Sequence, residues 1–158
     1  MSENIDLYSA HVITRKELEE IILASGGTLT ERGPVGRISQ DRTKHVFIWL
    51  ADKEAIPGVD PLYGTYDLAT RDLLRMKLGA EPRYVLAIEI GKTPGSGLLA
   101  VQFALACTQH WPCVVLAPSF DSAHSSLPLN EQISIKVFDQ KDMVELLRER
   151  RGFITHGM

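Results

Sequence analysis

The stretch Ile88–Gly97, IEIGKTPGSG, carries a Gly-Lys-Thr and a Gly-Ser-Gly, the pieces from which phosphate loops and nucleophile turns are built. A P-loop wraps phosphate oxygens with consecutive backbone N–H groups, so it needs a glycine five positions before its Gly-Lys pair. That position is Leu86, inside an apolar run. A dinucleotide fingerprint needs a third glycine that Gly95-Ser96-Gly97 does not supply. A nucleophile elbow around Ser96 needs glycines two before and two after it, where the chain has Pro94 and Leu98. The stretch is therefore expected to turn a corner, with Thr93 as helix N-cap, Pro94 in the first turn, and small Gly95, Ser96 and Gly97 allowing close packing on a sheet.

Other chemistry-bearing residues are sparse. Glu89 interrupts the apolar run RYVLAIEI, and a carboxylate there needs a partner such as Arg83 or Arg37, an edge position, or a catalytic task. Asp121, His124, Ser125 and Ser126 lie within six positions after the strand-like PCVVLAP, the three residue types of a hydrolytic triad. Their order alone does not place them together. The five histidines, at 11, 45, 110, 124 and 156, show no HxH or HxxxH spacing, so no metal site is expected. Cys107 and Cys113 form neither a CxxC nor a secreted disulfide framework and read as buried thiols.

The elements that would position these residues follow from periodicity. IDLYSAHVIT alternates as a strand, and Thr14 with Glu17 then makes a capping box for a helix with the stripe Leu18, Ile21 and Ile22, closed by glycine. TLTERGPVGRISQ and KHVFIWLAD are extended, the second rich in β-branched and aromatic residues. Thr65 or Asp67 caps a helix with Leu68, Leu74, Met76 and Leu78 as apolar positions. RYVLAIEI, apolar on both faces, belongs in a sheet covered on both sides. The helix Leu98–Trp111 is almost wholly apolar and must be buried on more than one side. PCVVLAP follows it, giving an expected right-handed parallel βαβ unit. ISIKVFD and QKDMVELLRERRG supply a last strand and an amphipathic helix. The expected order is β-α-β-β-α-β-α-β-β-α. It describes a single α/β domain, with α+β as the fallback, in which a mixed sheet is flanked by helices.

A chain of 158 residues is the size of one domain. Seventeen basic against twenty acidic residues give −3, a field that repels phosphate backbones, so no nucleic-acid partner is expected. No apolar run reaches the length of a membrane span, and the N-terminal residues do not read as an export signal, so a cytoplasmic location is expected. The segment DKEAIPGVDPLYG sustains neither period, and it and the residues just beyond it concentrate Asp52, Glu54, Asp60, Tyr63, Tyr66 and Asp67. Tyrosines beside carboxylates suit a surface that anchors and steers a basic protein partner.

The run GAEPRYVLAIEIGKTPGSGLLAVQFALACTQHWPCVVL, with HVFIWLAD before it, resembles the immunity proteins encoded beside bacterial polymorphic toxins. The likeness covers roughly half the chain and lies in core-packing segments. It implies a single-domain, non-catalytic cytoplasmic protein without cofactor or metal. Such a protein occludes the active site of a cognate toxin, and the residues expected to do so here are those of the 52–67 segment. Two other classes compete: a small hydrolase or transferase using Glu89 or Asp121-His124-Ser125, and a homo-oligomeric scaffold burying the apolar 98–111 helix on a second copy.

Overall fold

Strand β5 (Tyr84–Ile90) is the middle of a seven-stranded sheet in the computed structural model, which describes residues 3–50, 67–120 and 133–153. Tyr84, Leu86, Ile88 and Ile90 point to one face and are buried, while Val85, Ala87 and Glu89 point to the other and are half-buried. That period of two needs helices over the first face and lighter cover over the second.

The elements are β1 (Glu3–Ser9), α1 (Arg15–Ala24), β2 (Thr28–Leu29), β3 (Gly36–Gln40), β4 (Lys44–Leu50), α2 (Leu68–Leu78), β5, α3 (Ser96–Thr108), β6 (Cys113–Phe120), β7 (Ile133–Phe138) and α4 (Gln140–Arg148). The sheet order is β2-β3-β4-β5-β1-β6-β7 and every pairing is antiparallel. The architecture is thus the α+β alternative.

The expected parallel pair is not formed. β5 and β6 run in the same direction on either side of α3 in the chain, but β1 lies between them and pairs antiparallel with both, Leu7 opposite Leu86 on one side and Val115 on the other. The N-terminal strand is apolar enough to take this central place, with Ile5, Leu7 and Tyr8 at most 1% exposed. It ends at Ser9, earlier than the alternation through Ile13 suggests: Ser9 Oγ accepts the His11 backbone N–H, which starts the turn into α1. TLTERGPVGRISQ is two strands, not one, because the turn after β2 brings Thr28 back opposite Arg37.

Helices α1, α3 and α4 cover the first face. Leu18, Ile21 and Ile22 of α1 join the large core with the sheet, as the stripe requires. The capping box forms as expected, Thr14 Oγ1 accepting the Glu17 N–H and Glu17 Oε1 accepting the Thr14 N–H. α3 resolves its excess of apolar side chains within the chain, since the sheet lies on one side of it and α4 on the other.

Its start differs from expectation: the N-cap is Gly95 at φ 97°, and Thr93 instead offers its carbonyl to the Ser96 N–H in the preceding turn. Left-handed backbone there suits glycine. Gly97 meets the C-terminal segment, not the sheet, and a Cβ on it would stand 2.6 Å from the Phe153 carbonyl oxygen. Ser96 makes the contact with the sheet, its Oγ accepting the His45 N–H at 3.2 Å.

Among the described residues, the helix on the second face is α2, over β6 and β7. Leu74 is its one buried residue, clustered with Tyr8, Val114, Leu116 and Val137, whereas Leu68 and Met76, expected on the apolar side, are exposed. Burying Leu74 stabilises by about 2 kcal/mol. Lys77 then ties the end of α2 to the start of α4, with Nζ 2.9 Å from Asp142 and 3.7 Å from Asp139.

Candidate functional site

The part of the second face away from α2 is built from β3, β4 and the ends of β5 and β1 at Glu89 and Asn4; Tyr8 and Val85, further along those two strands, cluster with Leu74. Because outward residues alternate and adjacent strands are in register, four side chains form one cross-strand row. Arg37 lies opposite Phe47, Phe47 opposite Glu89, and Glu89 opposite Asn4. At the usual interstrand spacing the row spans roughly 14 Å. Arg37 and Asn4 at its ends are exposed, and Phe47 and Glu89 between them are half-buried. Such directly opposed pairs are the units that interact across a sheet.

Strand β4 adds a ladder along its own direction, His45, Phe47 and Trp49, each two residues on from the last. The His45 ring stacks on Phe47 at 6.2 Å and 27°, while its Nδ1 lies 2.9 Å from Ser39 Oγ. Trp49 donates its indole Nε1–H to Glu89 Oε1 at 3.2 Å, and the turn at Gly33 lies against the same ring. Glu89 therefore does not face a sheet edge, since β5 is central, and its carboxylate accepts an indole N–H.

A second feature lies at the other side of the molecule, between α1 and the turn after α3. Glu17, Glu20, Ile21 and Ala24 form one stripe of α1, and with His110 and Trp111 they line a depression of about 320 Å³. Glu17 is the most constrained carboxylate of the two. It accepts the Thr14 N–H, the Trp111 Nε1–H at 3.2 Å, and lies 2.9 Å from His11 Nε2. The Thr14 backbone bond, and then the Trp111 and His11 bonds, outweigh desolvation and hold its pKa down at about 2. Glu17 is ionised at neutral pH. Trp111 is 7% exposed, and His110, exposed beside it, is tilted at 50° with ring centres 6.0 Å apart.

Of the residues expected to bind a partner, Asp52, Glu54, Asp60, Tyr63 and Tyr66 lie outside the described residues, as do Asp121, His124 and Ser125. Asp67 is described: it is the exposed N-cap of α2, its Oδ1 accepting the Thr70 N–H at 2.8 Å, and hydrogen bonding from the Thr70 side chain, then from that N–H, lowers its pKa. Its side chain is engaged in holding the helix. Both cysteines are free and buried, and burial pushes the Cys113 thiol up to about 12 and the Cys107 thiol well up. Neither is a nucleophile at neutral pH.

Two pairings escaped the sequence reading because they join distant residues: Glu17 with Trp111, 94 positions apart, and Trp49 with Glu89, 40 apart. Glu17 was legible only as a cap. Among the described residues no group of three or more His, Cys, Asp or Glu is placed to hold a metal ion, and no helix is long and apolar enough to cross a membrane. No family model, no curated protein and no solved structure matches the chain.

Proposed function

We propose that this protein acts by binding another protein, as a non-catalytic cytoplasmic immunity protein that covers the active site of a cognate toxin domain. The observation that carries the binding reading is the row Arg37–Phe47–Glu89–Asn4 with Trp49 beside it, on the part of the second face away from α2. Aromatic and arginine side chains are the types enriched in the energetic centres of protein interfaces. Phe47 is braced by His45, and Trp49 by Glu89 and Gly33, so little side-chain entropy would be lost on docking. A net charge of −3 and the acidic 52–67 segment favour a partner with a basic surface.

The test is co-expression with the toxin-like product of the neighbouring reading frame, followed by affinity measurement on the isolated complex. Phe47→Ala and Arg37→Glu should each weaken it by about tenfold or more. The pair Tyr63→Ala with Asp60→Arg tests the 52–67 segment separately. Unchanged affinity in the Phe47 and Arg37 variants, with circular dichroism showing an intact fold, removes this face from the interface. A neighbour that forms no complex with the unmodified protein refutes immunity.

A further inference from the structure

We infer that the depression between α1 and the turn after α3 receives a guanidinium, the side chain of an arginine on a protein partner. Three properties of its lining converge on that ligand. Its lining includes Trp111, Ile21 and Ala24, an apolar wall against which a flat, weakly hydrated cation packs well. Its rim carries two carboxylates one helical turn apart. Glu17 holds its charge down to about pH 2, while three donors occupy most of its acceptor sites. Glu20 is exposed on the same stripe and makes no ion pair among the described residues, so its two oxygens are free to accept a guanidinium fork.

The size fits as well: about 320 Å³ is at the small end of ligand sites and holds one long side chain. An anionic ligand is opposed by both carboxylates, and a purely apolar one would strip water from Glu20 without replacing it. Arginine is preferred to lysine because the planar fork can lie against the apolar wall and bond Glu20 through two parallel N–H groups. The inference rests on the protein-binding reading only for the bearer of the arginine.

The experiment is a titration of the full chain with Nα-acetyl-arginine amide, followed by the indole N–H resonances. The chain has two tryptophans, so Trp49 serves as the internal control. Saturable movement of the Trp111 resonance with Trp49 unmoved is expected. Glu20→Gln, an exposed substitution that keeps the helix, should weaken it about fivefold or more. The lysine amide should bind more weakly than the arginine amide, and the neutral citrulline amide should not saturate. No saturable shift, an equal response to citrulline, or an unchanged Glu20→Gln variant overturns the site. Amide binding without any captured toxin supports the site and removes only the immunity reading; a captured toxin with no amide response overturns the site alone.

Discussion

Replacing Glu17 by glutamine tests a contact between residues 94 positions apart. The amide keeps the volume and one acceptor oxygen but removes the charge that the Thr14 N–H, the Trp111 indole and His11 surround. A carboxylate carried from 4.5 unfolded to about 2 folded corresponds in full to about 3 kcal/mol. The side chain is 34% exposed, so solvent screening reduces the expected loss at pH 7 to about 1–2 kcal/mol.

The folded pKa is the lower one, so the contribution is complete above 4.5 and disappears as pH falls from 4.5 towards 2, where the unfolded chain takes up the proton first. Urea unfolding of both proteins at pH 7, 4 and 2.5 reads the difference, and the other carboxylates cancel in it. The gap should be widest at pH 7 and close at acid pH, with a Tm lower by about 2–4 °C per kcal/mol at neutral pH. Parallel stability curves across that range would refute the argument. Glu17→Ala should cost more than Glu17→Gln, because the N–H of Trp111, a buried residue, loses its acceptor outright.

Three further outcomes follow from packing and charge. Leu74→Ala removes the only buried side chain of α2 and should destabilise by about 2–4 kcal/mol in urea unfolding; a loss under about 1 kcal/mol would mean that α2 is not anchored on the second face. Gly97→Ala drives a methyl to within 2.6 Å of the Phe153 carbonyl oxygen. It should lower stability by about 1–3 kcal/mol and raise amide exchange at residues 152–153, with unchanged exchange there counting against the packing. Lys77→Met should cost about 1 kcal/mol at neutral pH. The Asp142 carboxyl is held below its ordinary 3.8 chiefly by the Lys77 bond, against desolvation, so the cost should fade as pH drops below 3.8 and Asp142 protonates. A cost that persists in acid would assign Lys77 a packing role alone.

How much of this was legible beforehand depends on range. Thr14–Glu17, the Leu18–Ile21–Ile22 stripe and the buried thiols are written in residues within a few positions of one another and form as read, and of the two caps read for α2, Thr65 or Asp67, the structure uses Asp67. The IEIGKTPGSG stretch does turn a corner, although Gly95, not Thr93, opens the helix. On α2 the apolar letters misled, since Leu68 and Met76 face solvent: one helix on a sheet buries only a narrow stripe, and tertiary position chooses which.

Sheet order and the candidate surfaces belong to the tertiary level. A strand apolar on both faces, such as β5, satisfies a parallel neighbour or two antiparallel ones equally well. Only the arrival of β1 between β5 and β6 chose the antiparallel sheet. The same long-range pairing set Arg37, Phe47, Glu89 and Asn4 in a row and carried Trp111 to Glu17. The sequence by itself determined which segments coil or extend and how their ends are capped, because those preferences are settled within a turn or a pleat. Which strand lies beside which, and therefore which side chains meet on a surface, was decided only by the folded whole, because hydrogen bonds between strands carry no label of their partner.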